Sequence, residues 1–117
     1  MEDQGIIDQK TYHELKDLMG ADYVVEIIDT YIQETGALIQ QLQQALGAGD
    51  SISFDRLAHS IKSSSASLGA LVFSQQAREL EMLGKANDLS GVGIKLERLE
   101  ADFLTVKRSL EALRNEP

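Results

Sequence analysis

The stretch LAHSIKSSSASLGA, residues 57–70, sets one of the chain's two histidines among small side chains, with a lysine three positions later. Serine and glycine weaken a helix interior by a few tenths to about 1 kcal/mol each relative to alanine. A run with five serines and a glycine around His59 therefore gives up helix propensity in exchange for room. Helical spacing places Arg56, Lys62 and Ser63 on the side of His59, one turn away, and Ala66 two turns away. Two cations at that distance disfavour the imidazolium and leave a neutral, nucleophilic ring nitrogen near neutral pH. The same cations would attract and neutralise an anionic group placed on that nitrogen. Ser63, Ser64, Ser65, Ala66 and Ser67 leave little bulk around the ring, so another protein could bring a reacting group onto it. Accepting and passing on a phosphoryl group suits such a histidine. Hydrolysis does not, because no second carboxylate, oxyanion hole or water-excluding lid accompanies it.

Other chemistries find no support. His13, in TYHEL, lacks the second histidine of a metalloprotease helix, because Asp17 occupies the position four beyond. A di-iron bundle needs Glu-x-x-His pairs on facing helices, and the chain has none. Gly47, Gly49, Gly91 and Gly93 lack the following Lys-Ser/Thr of a phosphate-binding loop. With no cysteine there is neither a disulfide framework nor a thiolate metal site. No metal and no cofactor of its own is expected.

The 117 residues suit one domain, 1–117, with a single core. A net charge of −8 argues against nucleic acid, which requires a basic stripe. The charge is uneven: residues 1–55 carry eleven acids against Lys10 and Lys16, and the remainder carries eight acids against nine bases. No apolar run reaches the roughly 18 residues of a membrane span, and the opening MEDQGIIDQK is unlike a signal peptide. A cytoplasmic protein without a membrane partner is the expectation.

Apolar residues recur at helical spacing almost throughout, and no strand alternation or hairpin turn occurs. Asp8 can cap a short helix over about 8–19, which Gly20 ends. Bundle helices are predicted over about 21–46, 52–68, 72–86 and 94–114, with Asp50 or Ser51 capping the second of them. Four apolar stripes joined by short connections predict an all-α, antiparallel up-and-down four-helix bundle, with the short N-terminal helix covering one end or flank.

AHSIKSSSASLGA resembles the signature of histidine-containing phosphotransfer domains. Ala58-His59, the hydrophobic Ile61, Lys62, the small Ser63 to Ser65 and Gly69 stand at that family's spacing. ARELEMLGK (77–85) is similar to the family's following helix, with Glu81 and Gly84 in matching places, and IDQKTYHELKDLMGADYVVEIIDTYI resembles its opening. The resemblance covers about residues 6 to 113. It implies a four-helix bundle whose histidine is phosphorylated by the aspartyl phosphate of a receiver domain and then phosphorylates another. Carried over, His59 is the phospho-acceptor, Lys62 neutralises the phosphoryl oxygens and Glu81 orients the ring. Gly69 and Arg56 are supporting residues, Arg56 without a counterpart demanded by the family pattern. Ser63 departs from the glycine common there, and its hydroxyl could bond the phosphoryl group.

The expected function is a stand-alone, monomeric phosphocarrier of a two-component phosphorelay. Its partners would be receiver domains of a hybrid sensor histidine kinase and of a response regulator, with magnesium on the partner. It would not be an enzyme, having no nucleotide-binding kinase domain. Docking is expected near His59, through Leu18, Met19 and the start of the next helix. Two rivals are a non-phosphorylated helical adaptor or inhibitor that binds a receiver, and the dimerising phosphoacceptor segment of a sensor kinase.

Overall fold

The computed structural model describes residues 6–116; the expectations for residues 1–5 and 117 lie outside them. Five helices follow in order: α1 (Gln9–Met19), α2 (Ala21–Ala48), α3 (Ser51–Ser67), α4 (Leu71–Lys85) and α5 (Val92–Arg114). Asp8 caps α1 by accepting from the Thr11 backbone N–H, and Asp50 caps α3 by accepting from that of Ser53. Each satisfies an amide that the first helical turn leaves without a partner.

Two boundaries differ from the sequence reading by two residues, and the others by no more than one. Helix α2 continues past Leu46 to Ala48, because its exit lies at Gly49, where φ is +67°. The Asp50 amide there reaches back to the Ala45 carbonyl at 2.9 Å, a closure that needs one residue in the left-handed region. Helix α5 begins at Val92 rather than Ile94, and Val92 is fully buried. The apolar contact of Val92 extends the helix into a stretch whose glycines read as loop.

Helices α2 to α5 pack in sequence and close into a ring, since α5 also packs on α2. Their directions follow from cross-links. Asp29 near the start of α2 pairs with Arg114 at the end of α5, and Gln43 near the end of α2 bonds Glu100 early in α5. Tyr31 meets Ser65, and Ser74 meets Lys62. Each neighbouring pair is thus antiparallel, giving a bundle 45 Å long and 25 by 18 Å across. The core runs along its axis through Ile28, Leu42, Phe54, Ile61, Leu80, Leu99 and Leu110, each essentially inaccessible. Burying such a side chain stabilises by about 1.5–3 kcal/mol.

Helix α1 packs on α2 and α3 with Tyr12 buried. Its entry is seated on the α3–α4 turn, where the Asp8 amide donates to the Gly69 carbonyl at 2.7 Å. Gly69 has φ +93°, and a Cβ there would lie 2.9 Å from the Asp8 carbonyl oxygen. Only glycine satisfies both constraints.

Helices α3 and α4 form the tightest pair. Ala58 and Ala77 are fully buried, and the Ser74 hydroxyl donates to the Lys62 carbonyl at 2.8 Å. A Cβ on Gly84 would stand 2.9 Å from the Asp55 backbone nitrogen and 3.0 Å from its Cα. Gly84→Ala should therefore force the two helices apart and cost about 1–3 kcal/mol in urea denaturation. Gly36→Ala, in the interior of α2 with its nearest neighbour at 4.0 Å, should instead stabilise by about 0.5–1 kcal/mol. Equal effects at the two positions would refute the close-approach account.

Candidate functional site

His59 lies midway along α3, and Glu81 lies on the facing turn of α4. The close approach of the two helices lets the carboxylate reach the ring: His59 Nδ1 and Glu81 Oε2 are 2.6 Å apart. Lys62, one turn beyond His59, donates from Nζ to Glu81 Oε1 at 2.8 Å. One carboxylate thus uses both oxygens on two side chains of α3. The His59 side chain is 57% exposed, Lys62 28% and Glu81 only 5%.

Burial alone would push the Glu81 carboxyl up, but the hydrogen bonds from Lys62 and His59, with their charges, outweigh it and hold the group below the ordinary glutamate range. An ionised carboxylate can only accept, so Nδ1 carries the hydrogen. In the neutral ring the lone pair is then on Nε2, on the edge turned away from Glu81. Helical spacing alone surrounds His59 with cations, while the family resemblance puts Glu81 at the ring. The structure puts a carboxylate directly against the ring, with the Lys62 ammonium on its other oxygen.

His59 lines a groove of about 440 Å³ with Tyr31, Glu34, Ser60, Ser63 and Ser64. A second hollow of about 440 Å³ continues from Tyr31, Glu34 and Ser64 to Leu15, Tyr23, Glu26 and Ile27. Leu18, Met19 and Tyr23 are exposed around the α1–α2 turn at that end. Beneath the groove the Tyr31 hydroxyl meets the Ser65 hydroxyl at 2.7 Å, and burial pushes the Tyr31 phenol up to about 12.

His59, Lys62, Glu81 and Ser63 are brought together. Ser63 is exposed in the groove, and its backbone carbonyl accepts from the Ser67 hydroxyl. Arg56 is exposed one turn before His59, and its charge acts on Asp50 at the start of the helix. Gly69 lies ten residues on, about 15 Å along the axis, where it shapes the α3–α4 turn. His13 bonds the Gln9 carbonyl of its own helix. Two residues unforeseen as part of the site adjoin it. Lys85 Nζ lies 3.2 Å from Asp55 on α3 and 3.9 Å from Glu81 Oε2. Their spacing holds the available signal: Asp55 precedes His59 by four, and Lys85 follows Glu81 by four. No group of metal-binding residues occurs, and no helix is long and apolar enough to cross a membrane, among the described residues.

The profile of the Hpt domain matches residues 26–116, most of the bundle and the whole of this site. The chain belongs to the Hpt domain family. Among its relatives, the phosphorelay protein LuxU of Vibrio harveyi is 27% identical over 96 residues, covering 82% of this chain and 84% of LuxU. Histidine-containing phosphotransfer protein 4 of Arabidopsis thaliana is 28% identical, covering 92% of this chain and 88% of that one. The crystal structure of histidine-containing phosphotransfer protein B from Pseudomonas aeruginosa superposes with a TM-score of 0.87 at 27% identity, over 93% and 94% of the two chains.

The lowered carboxyl of Glu81 sets a pH dependence. Its contribution to stability should be complete above the ordinary value of 4.5 and fade as pH falls through the lower folded-state value. The denaturation midpoint of the Glu81→Gln variant should therefore lie below wild type at neutral pH and converge on it in acid. Parallel midpoint curves would contradict the ionised pairing.

Proposed function

We propose that this Hpt protein is a phosphocarrier in two-component signalling, with His59 Nε2 as the atom that takes the phosphoryl group. One observation carries the reading. The buried, ionised Glu81 holds Nδ1–H, which leaves the lone pair on Nε2 of an exposed ring that lines an open groove.

The chemistry balances without a proton leaving Nε2. Its lone pair forms the N–P bond as the P–O bond to a receiver aspartate breaks, and the aspartate departs with the bonding pair. The ring becomes cationic, and Nδ1–H remains against Glu81, whose charge stabilises it. Lys62, one turn from His59 and part-exposed, is placed to turn from Glu81 toward the phosphoryl oxygens. Ser63 offers a hydroxyl on the same rim. Forward transfer reverses these steps onto a second aspartate. Magnesium and in-line geometry belong to the receiver, so the chain supplies nucleophile and docking surface rather than acting as a kinase.

The finer reading follows the same support. The partners are a receiver of a hybrid sensor kinase and one of a response regulator, met by a cytoplasmic, monomeric, stand-alone carrier. The exposed Leu18, Met19 and Tyr23 at the end of the groove supply apolar docking area. The adaptor reading has one observation behind it. A relative from Oryza sativa subsp. japonica, 25% identical over 114 residues, is a pseudo histidine-containing phosphotransfer protein. Against it, this chain holds an intact His59–Glu81–Lys62 arrangement.

Incubation with a panel of phosphorylated receiver domains should label wild type with an acid-labile, base-stable phosphoryl group and leave His59→Gln unlabelled. Lys62→Met should retain the site but slow uptake about tenfold or more, the worth of a charge-assisted contact to a phosphoryl oxygen. Tight receiver binding without label would establish the adaptor instead.

A further inference from the structure

Glu81 accepts from two partners, and a third cation stands within ion-pair range but beyond hydrogen-bonding distance. Lys85 follows it by one turn of α4, with Nζ 3.9 Å from Glu81 Oε2. Its present partner is Asp55, one turn before His59 on α3, at 3.2 Å. The Lys85 side chain is 61% exposed and hinged on a flexible stem, whereas the Glu81 carboxylate is enclosed. Three cationic or ring groups and two carboxylates thus form one chain across the α3–α4 seam: Asp55, Lys85, Glu81, Lys62 and His59.

The proposed transfer creates a deficit in this chain. When Lys62 turns to the phosphoryl oxygens, Glu81 keeps Nδ1–H of His59 but loses its ammonium. The cationic ring then remains as its one charge partner, and the oxygen that Lys62 leaves is enclosed without a donor, which is costly. Lys85 offsets this by a shift of about 1 Å, which brings its ammonium within charge-assisted hydrogen-bonding distance of Oε2. The Asp55 side chain is 24% exposed against 5% for Glu81, so the ammonium leaves the more solvated of the two carboxylates.

We infer that Lys85 is a positioning residue that takes the place of Lys62 on Glu81 when His59 carries phosphoryl, with Asp55 holding it in waiting beforehand. The inference rests on the phosphocarrier reading above. Lys85 touches no reacting atom. It acts through Glu81, and its effect belongs to the phosphorylated state.

The test compares wild type, Lys85→Met and Lys85→Arg in phosphoryl exchange with one phosphorylated receiver, read as the fraction of label on His59 at equilibrium. Ring ¹⁵N spectra of unphosphorylated His59 are recorded in parallel. Lys85→Met should move the equilibrium about three- to fivefold toward the receiver, the scale of an ion pair with one solvent-exposed member. Lys85→Arg should restore it, and the unphosphorylated ring spectra should match in all three proteins. An equilibrium unchanged in Lys85→Met overturns the inference while leaving the phosphocarrier reading intact. A ring spectrum already altered in unphosphorylated Lys85→Met also overturns it, because Lys85 would then be serving the resting site. Wild type that takes no label fails the phosphocarrier reading itself, and the inference falls with it.

Discussion

A single enclosed carboxylate organises this molecule's chemistry. Glu81 is buried, yet remains ionised because Lys62 and His59 each donate to one of its oxygens. Were it solvated, it would hold neither partner for long, since exposed pairs of long side chains gain little from one another. Were it buried without them, it would be protonated and its preference for Nδ1–H would weaken. The tautomer of His59, and hence which ring nitrogen is nucleophilic, follows from where this one group sits.

That position depends on a short distance between two helix backbones. Ala58, Ala77, Ser74 and Gly84 line the α3–α4 seam, and none carries enough side chain to hold the helices apart. A glutamate is only a few bonds long, so a wider seam would place its oxygens beyond the ring. The serines and glycines that weaken these helices as isolated segments are therefore tolerated through packing, a case of tertiary contact outweighing intrinsic propensity. The rest of the bundle, with its large aliphatic core, supplies the stability against which this local weakness is set.

Much of this was legible in the sequence. Apolar periodicity places the four long helices and the short first one, because stripes that must be buried repeat at helical spacing. The side of α3 that carries His59, Lys62 and Ser63 follows from the same periodicity. Glu81 is different. Its own helix offers Arg78 and Lys85 at spacings that compete with a contact to His59, and only the resemblance to phosphotransfer domains favoured the ring. The deciding quantity is the register between α3 and α4, set by Gly84 against the Asp55 backbone, and no one-dimensional pattern contains it. The pairing of Lys85 with Asp55 across the seam escapes the sequence for the same reason. The late exit of α2 reflects a smaller effect: Gly47 is accommodated as a helical residue, and the left-handed turn falls at Gly49 instead.

The seat of α1 on the α3–α4 turn has a consequence for recognition. Asp8 is tied to the Gly69 carbonyl at the entry of α1, and the Gly20 amide closes its exit onto the Lys16 carbonyl. One wall of the groove running from His59 toward Tyr23 is thereby anchored at its entry and closed on itself at its exit, while α2 and α3 form the others. A protein laid along such a groove meets a surface already in shape, so little conformational entropy is lost in ordering it. Selectivity can then come from the shape of the groove itself rather than from ordering it around each partner.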